Sequence, residues 1–204
     1  LLAHLLQAVP AIIASFVLAI PIARLARVAR PLRAVLVTGS SLLYAVPSLA
    51  LFVILPIILA TGIRDPLNVI VALTLYGLAL LVPATADALD AVDARVLDAA
   101  TAMGMGRLRC FLTVELPLAG PAILTGLRVA TVSTISLTTV GAVLGVRSLG
   151  WLFTDGFQRG ITAEIVTGLV ATAALALVLD GLVLALGRLC LPWTWKRAGA
   201  TGQV

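Results

Sequence analysis

A chain of 204 residues with 61% hydrophobic and 11% charged residues and a mean hydropathy of +1.17 is not a soluble domain, in which about a quarter of residues are charged. Its apolar runs match a hydrocarbon layer roughly 30 Å thick, where backbone groups must be satisfied internally, so one all-α, polytopic domain over residues 1–204 with about five spans is expected. The net charge of +5 does not indicate nucleic acid, whose footprint is a clustered basic surface.

The cations are instead sorted by side. Alternating the connections places Arg24, Arg27, Arg30, Arg33, Arg95, Arg107, Arg109, Arg128, Arg188, Lys196 and Arg197 together, and only Arg64, Arg147 and Arg159 opposite them. That is the positive-inside asymmetry, predicting an outside N-terminus and a cytoplasmic C-terminus. Cys110 and Cys190 fall on the cytoplasmic side, where thiols stay reduced, so no disulfide is expected.

Span one covers about residues 5–23. It lacks a charged leader and an A-x-A-like cleavage site, so it reads as a retained span. Arg24, Arg27, Arg30 and Arg33 stop it with Pro31 as a breaker, and read as a topology anchor or as a contact to anionic lipid or a partner. His4, the lone histidine, reads as a surface residue at the outer end. Span two, about 35–60, contains Pro47, which predicts a kink that either packs or leaves carbonyls free to line a cavity. A short outer turn, Thr61-Gly62-Ile63-Arg64-Asp65-Pro66, leads to span three, about 67–86.

Residues 87–117 form the longest polar interruption. Asp87, Asp90, Asp93, Asp98 and Glu115 are five of the nine acids, yet Leu89, Val92, Val96, Ala99 or Ala100 and Met103 recur at helical intervals. This predicts a helix with one apolar face, ending at Gly104 and lying outside lipid. It is too short to stand alone, so it either enters a partner's groove through Ala99, Ala100 and Ala102 or folds back on its own spans.

Span four, about 118–144, carries Thr131, Ser133, Thr134, Ser136, Thr138 and Thr139; most hydroxyls return bonds to the preceding turn, and some can face a water-filled path. Gly141 and Gly145 form a weak G-x-x-x-G packing signal. The outer segment 146–161, with Trp151, Phe153 and Phe157, reads as an interfacial or re-entrant helix. Span five, about 165–186, holds Asp180, an intramembrane acid that pairs with Arg188 or another helix, or serves transport. Trp193, Trp195, Lys196 and Arg197 read as an inner-interface anchor.

Lys196 is the sole lysine and no G-x-x-x-x-G-K-[ST] occurs, so the chain carries no phosphate-cradling loop of its own. There is no H-E-x-x-H, metal-spaced Cys/His set or G-x-S-x-G, and catalysis is not expected. The ten aromatics lie mostly near interfaces, which argues against a cation cage within the chain. A weakly binding translocation path touched by Tyr44, Pro47, Ser48, Tyr76, Ser133 and Ser136 is expected instead.

The run Asp98-Ala99-Ala100-Thr101-Ala102-Met103-Gly104, followed by Glu115-Leu116-Pro117, resembles the EAA loop of ABC import permeases: E-A-A, three residues, G, then L-P after an apolar helix. Asp98 replaces the preferred Glu, keeping the charge and shortening its reach. Val46-Pro47-Ser48-Leu49-Ala50-Leu51, Met103-Gly104-Met105-Gly106, Val114-Glu115-Leu116-Pro117-Leu118-Ala119, Gly126-Leu127-Arg128 and Leu149-Gly150 are similar to the subfamily importing glycine betaine, carnitine, choline and related osmoprotectants. Arg147-Ser148 departs from a glycine pair at the outer gate, and Thr85-Ala86-Asp87 from an Arg-Asn-Thr type ending of span three.

The resemblance implies a type I importer transmembrane domain in a bacterial or archaeal cell membrane. It implies two ATPase subunits, a second permease, an extracytoplasmic binding protein and surrounding lipid as partners. No cofactor belongs to this chain; ATP and Mg belong to the ATPase. The coupling helix would use Val92, Arg95, Val96, Asp98, Ala99, Ala100, Met103, Gly104, Met105 and Arg107. A permease for methionine or an oxyanion, a membrane scaffold and a self-contained channel are the competing readings.

Overall fold

The computed structural model describes residues 1–193; Trp195, Lys196 and Arg197 of the expected anchor lie outside them. Helix α1 (Leu2–Val28) runs for 27 residues, about 40 Å at 1.5 Å per residue and longer than the hydrocarbon layer. Its buried residues include Ala8, Ala11, Ser15, Ala19, Ala23 and Ala26, three or four apart. Such a stripe of small residues lets two backbones approach closely in lipid, where packing rather than water exclusion drives association.

The stripe packs along α4 (Pro66–Asp90), the central helix of the bundle. Ala11 meets Val69, Ala72 and Leu73, Ala19 meets Leu81 and Val82, and Ala23 meets Ala86 and Leu89. Between them Ser15 and Gly77 fit so tightly that a Cβ on Gly77 would lie 2.5 Å from the Ser15 side chain. Asp65 caps α4 by accepting from the Leu67 N–H at 2.9 Å, with Pro66 as the first helical residue, where no N–H is needed.

Span two is not one kinked helix. It divides into α2 (Arg30–Ala45) and α3 (Ser48–Leu59), bent by 107° at Val46-Pro47. Pro47 has no N–H and forces the preceding residue out of helical geometry, so Val46 is extended at ψ 128° and the two halves separate.

After α4 come α5 (Ala94–Ala102), α6 (Arg107–Cys110), a π-helical turn over Phe111–Glu115, α7 (Leu116–Thr138) and a 3₁₀ turn over Thr139–Leu144. Residues Arg107–Leu144 make one continuous candidate span. The Gly141/Gly145 pair is not a helix-packing motif. Gly145 ends the 3₁₀ turn at φ 80°, where a Cβ would lie 3.0 Å from the Arg64 side chain, while a Cβ on Gly141 would lie 3.1 Å from Val69 of α4.

The aromatic segment forms α8 (Trp151–Arg159), with Trp151 and Phe157 exposed, and α9 (Thr162–Cys190) packs against α7 and α8. Helices α1, α4, Arg107–Leu144 and α9 are each long and apolar enough to cross a membrane, and the bent α2–α3 pair makes a fifth span if counted as one.

Candidate functional site

The polar stretch is two elements rather than one continuous helix. Leu89 belongs to α4 and is fully buried, whereas α5 starts afresh after Asp93, whose carboxylate accepts from the Arg95 N–H at 2.9 Å. The adjacent Arg95 guanidinium holds the Asp93 carboxyl below the usual carboxylate range, keeping the cap charged where it suits the positive end of the helix. At the other end the Met105 N–H donates to the Ala100 carbonyl at 3.2 Å, and Gly104 takes the left-handed conformation at φ 83°. These are the contacts of a glycine-terminated helix.

Helix α5 presents two faces. Ala100 is 2% exposed, and Val92, just before the helix, packs on the cluster of Ala23, Ala86, Leu89 and Phe111. Arg95, Val96, Asp98, Ala99, Gly104 and Arg107 are exposed and Met105 is half-buried; Met103 is 73% exposed. Of the ten expected coupling residues, Ala100 and Val92 therefore secure the helix from beneath while most of the others form its outer surface.

The arginine series secures this loop, a role that spacing alone did not reveal. The Arg27 guanidinium donates to the Leu89 carbonyl at 2.6 Å and to the Glu115 carboxylate, and lies 3.6 Å from Asp90. Arg33 takes the other Asp90 oxygen, and Arg24 lies 4.2 Å from the Phe111 ring centroid. The partners are 62 and 88 residues away in sequence, so no local pattern announced them.

The expected path residues are only partly gathered. Tyr44 and Tyr76 meet edge to face with centroids 6.1 Å apart, and the Tyr76 hydroxyl donates to the Val46 carbonyl at 2.6 Å. Tyr76, Tyr44, Pro47 and Ser48 thus surround the α2–α3 break, with Tyr44 half exposed and Tyr76 buried. Ser133 and Ser136 lie on α7, which packs against α4, the helix of Tyr76, and shares no substantial contact with α2. Thr131 and Thr138 return hydrogen bonds to the carbonyls four residues earlier.

Asp180 takes the second of the pairings open to it. Arg128 of α7 grips it bidentately, at 2.8 and 2.6 Å, a fork-to-fork geometry that staples α7 to α9. His4 is not a surface residue: it is fully buried, and its Nδ1 accepts from the Leu149 N–H at 3.3 Å. Gln7 donates to the Arg147 carbonyl at 2.8 Å, so α1 holds the 145–149 loop at two points.

The chain is similar to the OpuBD choline transport system permease protein of Bacillus subtilis, 30% identical over 97% of this chain and 86% of that one. It is similar to the OpuCD glycine betaine/carnitine/choline permease protein of the same organism, 29% identical over 87% and 76%. The EgtU ergothioneine transport permease/ergothioneine binding protein of Helicobacter pylori is 34% identical over 74% of this chain, which spans 27% of that longer protein. The fold matches the solved inward-facing MetNI methionine ABC transporter with a TM-score of 0.74, at 20% identity and covering 93% of this chain and 92% of that one. The Binding-protein-dependent transport system inner membrane component family matches residues 11–195. The chain therefore belongs to that family, the multi-pass, non-catalytic membrane permeases of ABC importers, whose ATPase is a separate subunit.

Proposed function

We propose that the chain is the translocation subunit for a small betaine or choline-like osmoprotectant, moved by alternating access. The observation that carries the cargo reading is similarity along 97% of the chain to a choline permease, supported by the glycine betaine/carnitine/choline relative. A second permease completes the pathway, two ATPase subunits holding ATP and Mg dock beneath it, and an extracytoplasmic binding protein delivers the solute. The N-terminus is outside and the α5 loop cytoplasmic, a reading supported by the arginine asymmetry.

In this reading the exposed side of α5 is the coupling surface. ATPase closure favours the outward-facing state only through contacts whose free energy differs between the two states, and the α2–α3 break with its Tyr44–Tyr76 pair flanks the path. Reconstitution with the partner ATPase and binding protein tests both parts. Labelled glycine betaine, choline or carnitine enters in an ATP-dependent manner, and methionine does not. Similarity to the ergothioneine protein supports a second cargo, itself a trimethylammonium carboxylate; exclusive uptake of ergothioneine would select it. Uptake of methionine alone would refute the osmoprotectant assignment.

A further inference from the structure

Arg27 stands where the end of α1 meets both flanks of the α5 loop. It lies in the last turn of α1, and it reaches both flanks of the α5 loop: the Leu89 carbonyl in the last turn of α4 and the Glu115 carboxylate at the residue preceding α7. The Leu89 contact suits the local field, because a cation favours the carbonyl end of α4. Asp90 lies against the same guanidinium and is held from its other side by Arg33. Two arginines and two carboxylates thus form a balanced network. Arg27 and Glu115 are 26% and 14% exposed at their side chains, enough burial to limit screening by solvent.

The consequence is mechanical. A helix pushed from outside moves the spans only if the segments joining it to them do not yield. Between α5 and α7 lie Gly104, Gly106, a four-residue helix and a π-helical turn, a connection able to absorb displacement. On the other flank α4 ends and α5 begins within three residues. A guanidinium bonded to both flanks fixes their separation and includes α1 in the same rigid body.

We propose that Arg27 is a positioning residue for energy coupling: its simultaneous bonds to the end of α4 and the start of α7 make displacement of α5 move both spans together. This rests on α5 being the ATPase contact. The test uses the full complex in proteoliposomes, with solute imported per ATP hydrolysed as the readout. Arg27→Gln and Glu115→Gln assemble and hydrolyse ATP, and their transport ratio falls at least about fivefold, the low end of typical coupling between sites.

Arg27→Lys keeps the charge but not the forked donors and gives an intermediate ratio. The double Gln variant is no worse than Arg27→Gln, since both remove one interaction. A wild-type ratio in both single variants overturns the proposal. If Arg27→Gln fails to assemble, Glu115→Gln decides, and failure of that variant too assigns the network to folding and overturns the proposal. Failure of the α5 reading has its own signature: wild-type co-purification of the ATPase with Gly104→Trp.

Discussion

Gly104 allows the coupling reading to be separated from ordinary destabilisation. Its φ of 83° strains any L-residue, but nothing lies within 4 Å of its Cβ position, so the chain itself has room for a large side chain. Gly104→Ala should cost about 1 kcal/mol of local stability through the left-handed backbone and leave most transport intact. Gly104→Trp bears the same strain and adds bulk that only a docking partner meets; it should abolish uptake and ATPase co-purification while the permease stays in the membrane. Asp98→Lys, a charge reversal on the exposed face, should do the same. Equal, mild losses in the Ala and Trp variants would exclude a partner at this point. Asp180 calls for the opposite kind of test. Asp180→Ala removes the carboxylate from the half-exposed Arg128 guanidinium and unfastens α7 from α9, and should lower the unfolding temperature measurably. Replacing both by Leu should recover most of that loss, because a well-packed apolar pair substitutes well for a partly buried ion pair. A double variant that is stable yet transport-dead would give Asp180 a role beyond stapling α7 to α9.

At the scale of elements, close approaches decide what can change. A Cβ at Gly150 would lie 2.0 Å from the Thr139 carbonyl oxygen and 2.7 Å from its carbon, and main chain has no rotamer with which to yield. Gly150→Ala should therefore cost at least the upper end of the roughly 1–3 kcal/mol typical of overpacking. At about 2–4 °C per kcal/mol for a chain of this size, thermal unfolding in detergent would register it readily; an unshifted midpoint would mean that this junction is not packed as described. The elements were legible to unequal degrees. The number of spans, four or five among the described residues, and the glycine end of α5 follow from composition and local chemistry, and both appear. The small-residue stripe from Ala11 to Ala23 was equally present in the sequence, and periodicity would have marked it as a packing face. Leu89 was assigned to the same helix as Val96 because a break of one turn barely disturbs a 3.6-residue period. The 107° division at Pro47 exceeds what a proline kink implies, since Tyr76 from another span donates to the freed Val46 carbonyl. Arg27 with Glu115, Arg128 with Asp180 and His4 with Leu149 are all tertiary pairings, and no local spacing encodes them.

For the molecule as a whole, the break in span two sets the strongest constraint. Irregular backbone at membrane depth is tolerated only where protein covers it or water reaches it. Tyr76 satisfies the Val46 carbonyl, yet Tyr44 and Pro47 remain exposed. In the proposed assembly a second permease or an aqueous path lies against this side. Substituted-cysteine labelling distinguishes those covers once Cys110 and Cys190 are replaced by Ser. Cysteines at Tyr44 and Ser48 should react with a membrane-impermeant thiol reagent in the assembled complex, at rates that change by at least about fivefold on adding ATP, as expected of a site coupled to the motor. Cysteine at Ile57, which is 77% exposed on α3, should stay inert if it faces lipid. Ser133 and Ser136, on α7, should match Tyr44 only if the path includes α7 in one of its states. Reactivity at Ser136 with none at Tyr44 or Ser48, with and without ATP, would move the path away from the α2–α3 break and leave the broken span as a covered subunit contact.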